Sequence, residues 1–126
     1  MEKIIFIALG GGIGSALRYG ITQLTVRCGA VSLPYGTILA NTIGSFCIGL
    51  LFVFFTQMST LPPTVKLFFV TGILGGFTTF STYNMELLTL VRTGDILSAA
   101  AYFSFNVIGG FLCCWLGFAV GNAFWQ

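Results

Sequence analysis

Histidine is absent from this chain of 126 residues, and charge is scarce: Lys, Arg, Asp and Glu together make up 6% of it. The missing imidazole removes the commonest metal ligand and the commonest general acid/base. A soluble domain carries roughly a quarter charged residues, so an ordinary water-soluble fold is excluded. The formal net charge of +2 comes with no basic cluster, which leaves no nucleic-acid footprint. Neither a phosphate-binding loop nor a catalytic triad can be read, so an enzyme is not expected. The four cysteines (Cys28, Cys47, Cys113 and Cys114) show no C-x-x-C or metal-ligand spacing. Three of them fall in apolar runs and read as buried, inert thiols.

What remains is apolar: 56% hydrophobic residues and a mean hydropathy of +1.00. The charges are so few that the gaps between them mark the membrane spans. Nothing formally charged lies between Arg27 and Lys66, between Lys66 and Glu86, or after Asp95. A helix needs about 20 mostly apolar residues to cross the hydrocarbon layer. The sequence therefore predicts an all-α membrane protein, a single domain over residues 1–126. Its four transmembrane helices lie at about Ile4–Val26, Gly36–Gln57, Val65–Val91 and Ile96–Phe124. The first does not read as a cleaved signal peptide, being too long, with Arg18 inside and no small-residue cleavage pattern.

The third span carries the densest signal, Gly72-Ile-Leu-Gly-Gly-Phe-Thr-Thr-Phe-Ser-Thr-Tyr-Asn-Met-Glu86. Glycines followed by hydroxyls interleaved with aromatics make a poor plain membrane helix, and a break is expected near Gly75–Thr79, mid-membrane. Backbone that leaves the helix at that depth must be buried in protein or line a polar cavity, where its carbonyls and N–H groups can hold ions. Phe80 and Tyr83 share a face of the helix that resumes. Their positively polarised ring edges, beside hydroxyl donors, form an anion path. Glu86 is the one carboxylate well inside a span. It reads either as a proton-coupling group or as a water-accessible residue near the helix exit.

The other spans supply matching surfaces. Gly10 and Gly14 form a small-xxx-small pair that admits a close neighbour; with Ser15 as the would-be third glycine, a dinucleotide-binding turn is excluded. Arg18 is either a snorkelling side chain or a functional one, a vestibule cation or a structural anchor for a neighbouring loop. In span two, Gly36, Ala40 and Gly44 make a close-packing face, and Thr37, Asn41 and Ser45 make a polar stripe at i, i+4. Thr37 and Ser45 read as interhelical hydrogen-bond glue, and Asn41, at the helix middle, as functional. Ser98, Tyr102, Asn106 and Gly110 repeat the spacing in span four, and Gly117 and Gly121 add a packing pair.

Lys3 and Lys66 fall on one side of the membrane, Arg27 and Arg92 on the other. Two against two sets no preferred orientation. A chain that inserts both ways can pair as an antiparallel, dual-topology homodimer, and the two Gly75–Thr78 breaks would then surround one small cation on the symmetry axis.

Three ordered motifs also resemble a known family. Gly11-Gly-Ile-Gly-Ser-Ala-Leu-Arg-Tyr19, Gly36-Thr-Ile-Leu-Ala-Asn-Thr-Ile-Gly44 and Gly75-Gly-Phe-Thr-Thr-Phe-Ser-Thr-Tyr83 look like the first-, second- and third-span signatures of the Fluc (CrcB) fluoride channels. The resemblance implies passive, fluoride-selective export across the bacterial inner (plasma) membrane by an antiparallel homodimer. That dimer would have two pores and a structural sodium ion at its centre. It makes Asn41 the pore amide, Phe80 and Tyr83 the pore aromatics, and Thr79, Ser81 and Thr82 a hydroxyl track. Gly75 and Thr78 would give backbone carbonyls to sodium, Arg18 matches the first-span arginine, and Tyr102 with Asn106 the fourth-span polar side. The chain departs from the pattern at Tyr83, where the family has Phe, and at Asn106 and Gly110, where hydroxyl residues are expected. The rival reading is a small dual-topology, proton-coupled multidrug transporter, which needs a central carboxylate in the first span. Glu2, at its very start, is the only acidic residue there. A non-transporting accessory subunit is a third reading.

Overall fold

A computed structural model describes residues 1–125. Its elements are α1 (Glu2–Arg27), α2 (Tyr35–Gln57), α3 (63–77), α4 (Ser81–Arg92) and α5 (Ile96–Trp125). Among the described residues, four helical stretches are long and apolar enough to cross a membrane: α1, α2, α3 with α4 (Pro63–Arg92), and α5. The chain is a multi-pass, all-helical membrane protein. Its outward side chains fit that solvent: Ile4, Leu9, Ile13, Leu17, Phe111 and Trp115 are all exposed, and in lipid such exposure costs nothing.

Lipid tails are as apolar as leucine, so helix association here rests on close contact rather than on escape from water. Glycine supplies that contact. The buried residues of α1 are Gly10 and Gly14, and a Cβ on Gly14 would overlap the Ile73 carbonyl oxygen of α3. Gly72 approaches Gly10 in the same seam, its own Cβ site lying 2.9 Å from the Gly10 Cα. Gly49 of α2 meets the Cys114 carbonyl of α5, and Gly117 of α5 meets the Phe46 carbonyl of α2. The small-residue faces read in the sequence are the helix seams.

Two helices carry wider turns. Leu67–Leu74 in α3 and Phe105–Gly109 in α5 are π-helical, a form that concentrates near functional sites. The third-span glycines do not themselves interrupt the backbone. Gly75 and Gly76 remain helical, with Gly76 packed against the Gly11 carbonyl. The helix stops one residue later. Thr78 is extended (φ −80°, ψ 157°), its N–H and hydroxyl both returning to the Leu74 carbonyl at 3.0 and 2.9 Å. Residues 78–80 lie outside helix, and α4 starts at Ser81. Gly29 (φ +74°) and Gly94 (φ +79°) supply the left-handed turns after α1 and α4. Asp95 caps α5 by accepting from the Ser98 N–H at 3.1 Å.

Candidate functional site

The interruption at 78–80 borders a cavity of about 480 Å³, larger than the hollow beside Glu86. Gly44 lets α2 close to the Thr78 methyl group at the cavity wall. Asn41 holds the loop. Its Oδ1 accepts from the Thr79 N–H at 2.8 Å, and its Nδ2 donates to the Thr79 carbonyl at 3.1 Å. The same Nδ2 donates to Asn106 Oδ1 at 2.8 Å, and Asn106 Nδ2 donates to the Tyr102 carbonyl at 3.0 Å. One amide thus replaces the backbone partners that Thr79 lost on leaving the helix, and both of its N–H donors are spent in doing so.

Arg18 secures the other side. Its Nε donates to the Gly76 carbonyl at 3.1 Å, placing a cation at the C-terminal end of α3, where the helix dipole favours one. Of the two readings of Arg18, the loop anchor is the one its contact matches. Thr79 then starts the next helix: its hydroxyl accepts from the Thr82 N–H at 3.2 Å and donates to the Thr82 hydroxyl at 3.0 Å, the service of an N-cap side chain.

An aromatic row leads away from the cavity. Phe80, 73% exposed, lies 5.6 Å ring to ring from Tyr83, and Tyr83 lies 5.5 Å from Tyr102. Tyr102 is fully buried; its hydroxyl donates to Glu86 Oε2 at 2.5 Å. Glu86 in turn borders a smaller hollow of about 230 Å³ beside Pro34 and Met85. Tyr83 and Tyr102 pack with Ile38 into a buried hydrophobic cluster.

The structure therefore gathers Asn41, Gly75, Thr78, Thr79, Phe80, Tyr83 and Asn106 at one cavity. Ser81 and Thr82 are not in its lining: Ser81 is exposed elsewhere on α4, and Thr82 is turned to Thr79. Tyr102 is a core residue behind Tyr83. Ser45, read from the sequence as packing glue, makes no hydrogen bond among the described residues and lines the cavity instead. The signal for it was present, since Ser45 lies one turn beyond Asn41 on the same stripe. The Gly75 and Thr78 carbonyls accept no hydrogen bond from the described residues, because the Thr79 N–H goes to Asn41 and the Thr82 N–H to the Thr79 hydroxyl.

The family model described as CrcB-like protein, Camphor Resistance (CrcB), matches residues 5–118. The chain belongs to the CrcB family. Similar CrcB chains include the "Fluoride-specific ion channel FluC" of Chloroflexus aurantiacus, 41% identical over 124 residues that cover 98% of each chain. The protein of that name from Geobacter sp. strain M21 is 37% identical over 123 residues, 98% of this chain and 99% of its own. The one from Roseiflexus sp. strain RS-1 is 43% identical over 114 residues, 87% and 92% of the two chains.

Proposed function

We propose that the chain is a passive fluoride channel of the bacterial plasma membrane, a conduit rather than an enzyme, and that it works as an antiparallel homodimer with two pores. The observation that carries the reading is the cavity at the helix interruption, where amides, hydroxyls and aromatic rings stand among the aliphatic side chains of Ile48, Val70, Leu74 and Val107, with no full charge in the lining. Fluoride is small and strongly hydrated, so a pore must replace its water with close donors. Neutral hydroxyls and ring edges do so without the tight hold of a lysine, and conduction requires binding that is favourable yet easily released. The names of the relatives point to the same ion.

Within this reading Asn41 holds the interruption in shape, Phe80 and Tyr83 offer ring edges, and Thr79 and Asn106 complete the polar wall. Tyr102 and Glu86 lie on the continuation of the aromatic row, with Ser81 and Thr82 at its flank. The unpaired Gly75 and Thr78 carbonyls suit a hard cation such as sodium, which prefers oxygen donors. Two carbonyls from one protomer are too few for such an ion, so a second copy would supply the rest. Bound there, sodium would neutralise the carbonyl dipoles that meet at the interface. The exposed Gly75 and Phe80 belong to the face that the second copy would cover.

Fluoride efflux from liposomes, with chloride as the control, tests the function. Fluoride is expected to leave electrogenically without a proton gradient, and the flux to be lost in Phe80→Ile. A monodisperse protein that passes no fluoride overturns the proposal.

A further inference from the structure

Six polar side chains line the larger cavity: Asn41, Ser45, Thr78, Thr79, Tyr83 and Asn106. Three of them have every donor committed, and a fourth, Asn106, has one of its two N–H groups committed. Both N–H donors of Asn41 go to Thr79 and Asn106, the Thr78 hydroxyl goes to Leu74, the Thr79 hydroxyl to Thr82, and Asn106 to the Tyr102 carbonyl. The hydroxyls of Ser45 and Tyr83 make no hydrogen bond to any described residue. A donor already engaged within the fold must break that bond before it can serve an ion, whereas an unengaged one need only turn.

We propose that Ser45 is an ion-contacting residue of this cavity and that Tyr83 brings its second free hydroxyl. The inference rests on the channel reading and names the groups that would meet the anion. Its position supports the role. Ser45 lies one turn along α2 from Asn41, so its side chain stands beside the clamp that shapes the cavity. Across from it on α5 is Gly110: a Cβ added there would lie 3.5 Å from Ser45 Oγ. Gly110 leaves that spot without a side chain, and the hydroxyl that fills it comes from α2. Tyr83 brings the other donor on a ring held by Phe80 and Tyr102 on either side, so that only the proton direction is left to adjust.

The test measures initial fluoride efflux from liposomes over a range of internal fluoride concentrations for the full chain, Ser45→Ala, Tyr83→Phe and Ser45→Ala/Gly110→Ser. Loss of one hydroxyl donor to an anion is expected to raise the half-saturating fluoride concentration about tenfold in Ser45→Ala. Tyr83→Phe should shift it in the same direction. Returning the hydroxyl from α5 in the double variant should bring the half-saturating concentration back towards that of the unchanged chain, which a purely packing role for Ser45 would not do. Unchanged half-saturation in Ser45→Ala overturns the proposal, as does a defect that Gly110→Ser leaves unrelieved. If Ser45→Ala is not monodisperse, Ser45→Cys carries the same expectation, since a thiol keeps the reach but donates weakly. An unchanged chain that passes no fluoride overturns the channel reading and this assignment with it.

Discussion

Asn41 shows how much one side chain does here. Its amide meets the Thr79 backbone at both N–H and carbonyl and reaches Asn106 as well. A carboxylate in its place would still accept from the Thr79 N–H. It would also set a negative charge against two oxygens that now receive a proton. Asn41→Asp is therefore expected to destabilise the protein by about 2 kcal/mol, read as a lower melting midpoint in detergent, and to abolish fluoride flux. A variant that melts with the parent protein would mean that the clamp is not what holds residues 78–80. Glu86 shows a different use of a polar contact. Its bond from Tyr102 joins α4 to α5 at a fully buried ring, and a Phe at position 102 would leave the carboxylate without that donor. Tyr102→Phe is expected to lower the melting midpoint, because a partly buried charge loses a hydrogen bond worth about 1.5–3 kcal/mol.

Among the helices, glycine position decides the outcome of identical substitutions. Gly14→Ala would press a methyl group into the Ile73 carbonyl and separate α1 from α3, at about 1–3 kcal/mol for overpacking. Gly12→Ala, two residues earlier, meets nothing within 4 Å and is expected to gain up to about 1 kcal/mol of helix propensity. Thermal melts of the pair check this directly, and equal effects would contradict the seam. The interruption between α3 and α4 is likewise held from outside itself, by Arg18 on α1 and Asn41 on α2. Arg18→Met keeps the apolar stem but removes the donor to Gly76. Hydrogen exchange at residues 77–81 should speed up while exchange in α2 and α5 stays unchanged. Uniform protection throughout would show that Arg18 does not anchor the loop.

At the scale of the whole molecule, the proposed antiparallel pair requires two insertion orientations, and the balance of Lys3 and Lys66 against Arg27 and Arg92 favours neither. Cys28 reports on them, being exposed in the loop after α1 while Cys47, Cys113 and Cys114 are half-buried in helices. In intact cells, an impermeant thiol reagent is expected to label about half of the Cys28 population from one side, the signature of insertion without orientation bias. Complete labelling or none would rule out the antiparallel pair.

The four apolar runs, the sparse charges between them and the glycine pairs at four-residue spacing were legible along the chain. Each is a local property that a membrane reads helix by helix: length against bilayer thickness, and small residues against a close neighbour. The gathering of Asn41, Thr79, Phe80 and Tyr83 was legible as well, because those residues lie on two short motifs. What the linear pattern left undecided was which polar group is spent on structure and which is left over. The break, expected within Gly75–Thr79, falls at the C-terminal end of that range, with Gly75 and Gly76 still helical and Thr78 extended. Ser45 looked like glue, yet its hydroxyl has no hydrogen-bond partner among the described residues, whereas Asn41, read as the pore amide, has both N–H donors engaged. A hydrogen bond needs two groups at one distance, and across 38 residues, as between Asn41 and Thr79, only the packing of α2 against the interrupted span sets that distance.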